Sequence, residues 1–182
     1  MKEFAYNGET LVNGPVTKAY LAAFGPYVKR GEQVLCKHFE TKEISNDPDT
    51  WYPLPRFMRA LEEFQRQFGQ EFMRKVGQFI FTNAVFPPGI DSLEKGLGSV
   101  DVAYHMNHKF PGAQDDIGHY LWKIEGSKKA IMVCDNPYPC SFDLGIIETI
   151  AQKFEPKVKV SHDDKKPCRH TGGDSCTYIV AW

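Results

Sequence analysis

Three of the chain's five cysteines, Cys140, Cys168 and Cys176, lie close to its C-terminal end. Between the first and the last runs His162-Asp163-Asp164-Lys165-Lys166-Pro167-Cys168-Arg169-His170-Thr171-Gly172-Gly173. Thiolates that converge with an imidazole or a carboxylate bind zinc tetrahedrally; four protein ligands make a structural site, three and a water a catalytic one. Cys140 is expected at a helix N-terminus, where the backbone dipole favours a thiolate. Cys168 and Cys176 flank a Gly-Gly turn that can bring them together, and His162 or Asp164 can supply the fourth ligand. No Cys-x-x-Cys pair is present, so buried inert thiols are the competing reading. Cys134, upstream of Cys140, leaves a second possible ligand pair open.

The segment Tyr104-His105-Met106-Asn107-His108 is the second place where chemistry could reside. On a helix, His105 and His108 share a face, and His119 can approach from the next strand. With Tyr104 and Trp122 they form a candidate ligand pocket. The plainer alternative is that these histidines bond the last carbonyls of their helix. Asp115 and Asp116 are adjacent carboxylates expected to face solvent. No Ser-His-Asp set, nucleophile elbow or nucleotide-binding glycine pattern is legible, which does not exclude an enzyme, because the fold assembles such constellations.

The elements that must hold these residues fit one domain over 1–182, since the chain has 182 residues. A net charge of −1 offers no electrostatic footprint for nucleic acid. No apolar run approaches the length needed to span a bilayer, and residues 1–10 lack the apolar core of a secretory signal. The cytoplasm is the expected compartment, with reduced thiols.

Hydrophobic spacing predicts helices over 16–28 with a break at Gly25-Pro26, through Phe57, Leu61, Phe64 and Phe68, and through Phe72, Val76, Phe79 and Ile80. Asp91 or Ser92 caps a further helix carrying Leu93, Leu97, Val100 and Tyr104. Residues 120–124 and 130–134 read as a hairpin turning at Gly126-Ser127-Lys128. A helix follows over about 140–154, then a second hairpin whose loop carries the cysteines. The fold class is α+β: N-terminal helices packed on a roughly four-stranded antiparallel sheet, with one helix between two hairpins.

A cysteine followed five residues on by Gly145, then Cys168, then Gly173-Asp174-x-Cys176 and a terminal strand, resembles the 4-vinyl reductase-type ligand-binding domain. The motif region covers residues 115–182. That family is similar to the heme nitric-oxide-binding domains and to small TRAPP tethering subunits, and the N-terminal half resembles an uncharacterised bacterial subgroup of it. In phenol-responsive activators with this domain, three cysteines and a glutamate hold zinc. The resemblance implies zinc on Cys140, Cys168 and Cys176. The glutamate position here is Lys165, so His162 or Asp164 must replace it. The Tyr-x-Ser-x-Arg signature that grips heme carboxylates is absent, so heme is not expected. The resulting expectation is a small-molecule-binding sensor or regulatory domain with a zinc-type structural site, acting through a homodimer or a partner protein. A metal-dependent enzyme with a His/Cys-lined pocket and a dimerising tethering module are the alternatives.

Overall fold

The computed structural model describes residues 10–82, 87–110 and 117–182. Phe86, Asp115 and Asp116 lie outside the described residues. Asn13-Gly14-Pro15 turns the short strand β1 (Leu11–Asn13) into helix α1 (Gly14–Ala22). Gly14 is needed there, because a Cβ would stand 3.0 Å from the carbonyl oxygen of Thr50. A single 3-10 turn at Gly25–Tyr27 then leads into α2 (Val28–Phe39). Strand β2 (Trp51–Pro53) precedes α3 (Leu54–Phe68), whose proline in the first turn uses a position where an N–H has no helical partner. Leu54, Phe57, Met58, Leu61 and Phe64 make its buried face. Gly69 ends α3 with a positive φ of 84° and α4 (Gln70–Thr82) begins at once.

Helix α5 (Leu93–Met106) starts at Ser92, whose hydroxyl accepts from the Lys95 N–H. Strand β3 (His108–Lys109) follows and joins β1 and β2 in a small sheet of order β2-β1-β3. The larger sheet is antiparallel, in the order β4-β5-β7-β6, from β4 (Tyr120–Ile124), β5 (Lys129–Cys134), β6 (Lys159–His162) and β7 (Cys176–Ala181). Helix α6 (Cys140–Phe154) connects its two hairpins and packs against α4, α5 and the strands β6 and β7.

The α+β expectation and the four-stranded sheet hold. Three features differ from the sequence reading. Helix α2 follows the first helix over residues to which the sequence reading assigned no element, the three-stranded sheet was not anticipated, and His108 opens β3 instead of sharing helix α5 with His105.

Helices α4 and α6 approach unusually closely. A Cβ on Gly77 would lie 2.2 Å from the Phe142 carbonyl oxygen, and one on Gly145 would lie 2.0 Å from that of Arg74. Alongside this contact Arg74 grips Glu148 through two nitrogens, each at 2.8 Å, and Gln78 adds a third donor at 3.0 Å. Two glycines thus let the backbones meet, and a bidentate ion pair sets their register.

Candidate ligand cavity and thiol centre

The close α4–α6 contact fixes the first turn of α6, and with it Cys140. Cys176 opens β7 opposite Cys134, and Cys168 precedes a 3-10 turn in the loop between β6 and β7. Gly173 folds this loop back; its N–H donates to the Cys168 carbonyl at 2.8 Å, and a Cβ there would touch Pro167 at 2.8 Å. The sulfur of Cys168 ends 3.6 Å from that of Cys140 and 3.7 Å from that of Cys176. A disulfide needs about 2.05 Å. Sulfurs held about 2.3 Å from a zinc ion at tetrahedral angles stand about 3.8 Å apart. The two spacings from Cys168 are close to that value, and all three sulfurs lie within 4.8 Å of one another.

The electrostatics favour negative charge on Cys176. Its thiol is lowered well below the ordinary range, first by the hydrogen bond from Cys140 and then by Arg169, against burial. Cys140 is correspondingly raised, by its bond to Cys176 and by burial. Both the main-chain N–H and the Nε of Arg169 donate to the Cys176 sulfur at 3.4 Å. Cys134 is fully buried, its thiol pushed up by desolvation, and it does not join the group.

No ligand atom of His162 or Asp164 lies within 4.8 Å of all three sulfurs. The two residues nonetheless differ. The Asp164 side chain is 96% exposed. His162 is mostly buried, with Nδ1 3.2 Å from the Asp164 carboxylate and Nε2 buried without a hydrogen-bond partner. His162 lines, with Cys140 and Cys168, a groove of about 1050 Å³ between α3 and the C-terminal loop.

The pocket residues expected from sequence separate into two places. Tyr104 and His108 line an apolar cavity of about 190 Å³, enclosed also by Tyr20, Tyr138, Phe142 and Ile146. His108 is 7% exposed. Its Nδ1 donates to the Tyr104 carbonyl at 2.7 Å, which leaves Nε2 of a neutral ring to accept from the Tyr138 hydroxyl at 2.9 Å. His105 and His119 stack on each other outside this cavity, with ring centroids 4.9 Å apart. Trp122 is also outside the lining and packs its indole nitrogen against Gly98 of α5.

Two participants were not legible in the sequence. Tyr20, on α1, lines the cavity with a buried hydroxyl that has no hydrogen-bond partner. Asp143, in the first turn of α6, is fully buried and paired with Arg169. It also accepts from the Tyr120 hydroxyl at 2.6 Å and from the Asn136 amide at 3.4 Å. Burial pushes its carboxyl up to about 6, against the downward pull of Arg169 and Tyr120.

The α+β fold described above is that of solved heme nitric-oxide-binding (H-NOX) proteins. An H-NOX protein from S. oneidensis, solved in an Fe(II)NO state, superposes with a TM-score of 0.67 at 17% identity, covering 92% of this chain and 97% of that one. An H-NOX from T. tengcongensis, solved as a point mutant, gives 0.64 at 15% identity over 91% of this chain and 94% of its own. A structure described in terms of heme redox potential and porphyrin distortion gives 0.64 at 14% identity, over 93% and 99%. Sequence comparison matches the chain to no family model and to no characterised protein.

These neighbours correct one expectation. Heme was set aside because one carboxylate-gripping motif is missing. Solved heme proteins share this fold over nearly the whole chain, so a missing motif is not grounds for that exclusion.

Proposed function

We propose that the chain is a small-molecule sensor domain whose ligand chamber is the cavity beside His108. The observation that carries this reading is the Tyr20 hydroxyl, buried in the cavity wall with no partner. An unsatisfied buried hydroxyl costs about 1–3 kcal/mol, and a ligand that bonds it recovers that cost. Binding then shifts the population between an open and a closed arrangement of α1 and α5.

Heme is the first occupant to test, because the structural neighbours are described with it. His108 is the residue that would hold the iron: Nδ1 is anchored on the Tyr104 carbonyl, and Nε2 meets the hydroxyl of Tyr138, which lines the cavity too. The Tyr138 hydroxyl, now on Nε2, would have to turn away, and the rings of Tyr138 and Phe142 would have to part. A bound heme would supply an iron able to take a diatomic gas. Hemin added to the reduced protein should bind at one equivalent and shift its Soret band. His108→Ala should abolish this and His105→Ala should not. Equal binding by both variants, or none by the wild type, removes heme.

The second reading is a compact, largely apolar organic ligand of the kind taken by 4-vinyl reductase-type domains. The cavity as it stands, walled by Tyr20, Tyr104, Tyr120 and Tyr138, favours it. Native mass spectrometry of the freshly purified protein would show such a ligand directly.

The thiol centre serves this chamber as a brace. Zinc on Cys140, Cys168 and Cys176 would tie α6, the loop and β7 together. His162 is the better fourth ligand than Asp164, which is suited to orient it through Nδ1. Metal analysis should give one zinc lost in Cys168→Ser; full retention in that variant would overturn the site. The five cysteines, all unpaired, suit a reducing compartment such as the cytoplasm. No described helix is long and apolar enough to cross a membrane. The signal would pass to a second copy or a partner through exposed apolar residues such as Val102 and Met106 of α5; sedimentation of the ligand-bound protein tests the dimer.

A further inference from the structure

The stacked histidines outside the cavity do not stand alone. Asp101 lies one turn before His105 on α5, and His119 lies just before β4. A ring nitrogen of each histidine and an oxygen of Asp101 all lie within 4.8 Å of one another. Nδ1 of His119 is 3.4 Å from Oδ2 of Asp101, and Nδ1 of His105 is 3.6 Å from Oδ1. Nitrogen and oxygen ligands about 2.0–2.2 Å from a tetrahedral zinc ion stand about 3.4 Å apart.

We propose that Asp101, His105 and His119 form a second metal site, separate from the thiols, that takes a divalent transition metal through two imidazoles and one carboxylate. The donor set suits zinc, nickel, iron or copper rather than calcium or magnesium, which want oxygen ligands.

The surroundings orient the ligands. The Tyr120 N–H donates to Oδ1 of Asp101 at 2.8 Å, which fixes the carboxylate's rotation. The main-chain N–H of His119 donates to Oδ1 of Asp135 at 2.6 Å, which fixes the residue and brings a second carboxylate close. Nδ1 of His105 donates to the Asp101 carbonyl at 2.7 Å. Ligation through this nitrogen exchanges that bond for the metal and moves the proton of a neutral ring to Nε2. The His119 side chain is 41% exposed, so an ion can enter from solvent. Three protein ligands leave at least one coordination position for water or an anion.

The site joins α5 to β4. The other face of α5 carries Val100, Ala103 and Tyr104 into the cavity wall, with Asn107 just past its end. A metal held here would therefore clamp one wall of the chamber from outside.

The test is equilibrium dialysis of the chelator-stripped full chain against Zn²⁺, with metal counted per chain. His119→Ala and Asp101→Asn should each bind one equivalent fewer than the wild type, or bind it about 100-fold more weakly. The same equivalent should disappear when His119→Ala is placed on Cys168→Ser, so the outcome does not depend on what the thiols hold. In ¹⁵N spectra of the wild type, the imidazole signals of His105 and His119 should shift as this equivalent binds. An unchanged count in His119→Ala, or imidazole signals unmoved by zinc, would overturn the proposal.

Discussion

Arg169 and Asp143 form an ion pair, Nη2 to Oδ2, in which the guanidinium is 9% exposed and the carboxylate not at all. The pair joins the residue after Cys168 to the first turn of α6, next to Cys140. Arg169 also donates to Oδ1 of Asn136 at 2.7 Å and to the Cys176 sulfur. One side chain thus ties the β5–α6 connection, the helix start and the terminal strand together. The thiols converge because this buried network holds the three segments that carry them.

Breaking such a pair on one side leaves an uncompensated buried charge, which costs about 3–5 kcal/mol. Arg169→Met should lower stability by that amount in urea unfolding. Adding Asp143→Asn to it should restore part of the loss, because the orphaned charge is removed.

The same carboxylate makes stability depend on pH. Burial raises the Asp143 carboxyl from 3.8 to about 6, so between these values the folded protein holds a proton that the unfolded chain releases. The contribution is fully present below about pH 4 and is lost as pH rises through about 6. Its ceiling is about 3 kcal/mol. Asp143→Asn should flatten this part of the melting-temperature profile; an unchanged slope between pH 4 and 6 would count against the assignment.

Gly145→Ala and Gly77→Ala each put a methyl group into opposing main chain, at 2.0 Å and 2.2 Å. Backbone cannot rotate out of the way as a side chain can. Each variant should lose at least about 1–3 kcal/mol, the usual range for overpacking, despite the better helix propensity of alanine. Thermal unfolding checks this, with Gly126→Ala, in the open β4–β5 turn, showing a smaller loss.

Tyr20→Phe should do the opposite to stability and to binding. Removing a buried hydroxyl without a partner should leave the ligand-free protein as stable as the wild type or about 1 kcal/mol more stable. Affinity for a cavity ligand should fall. A clear loss of stability in the ligand-free variant would mean that the hydroxyl has a structural role.

Much of the fold was legible because it is written in short-range rules. Ser92 caps α5 through a bond to a residue three positions on. The β4–β5 turn falls at Gly126, and the spacing of Phe57, Leu61 and Phe64 marks the buried face of α3. Helix α2 escaped because its inner face includes Gly31, packed 2.9 Å from Phe24 where a Cβ would be, and because it ends on Glu40 in a left-handed conformation, not on glycine. The small sheet escaped because two- and three-residue strands carry no readable alternation.

The amino-acid sequence by itself determined the α+β class, the order of elements from α5 to β7 apart from the short strand β3, and the candidacy of Cys140, Cys168 and Cys176, since helix capping, turn chemistry and ligand type act over a few residues. Only the tertiary structure decided which groups meet. It split the aromatic and histidine residues between an apolar cavity around His108 and a half-buried cluster of Asp101, His105 and His119. It set Arg169 against Asp143, and placed the Tyr20 hydroxyl in the cavity wall without a hydrogen-bond partner among the described residues. Those relationships come from packing between residues distant in the chain, where burial and close backbone approach, not local pattern, set the geometry.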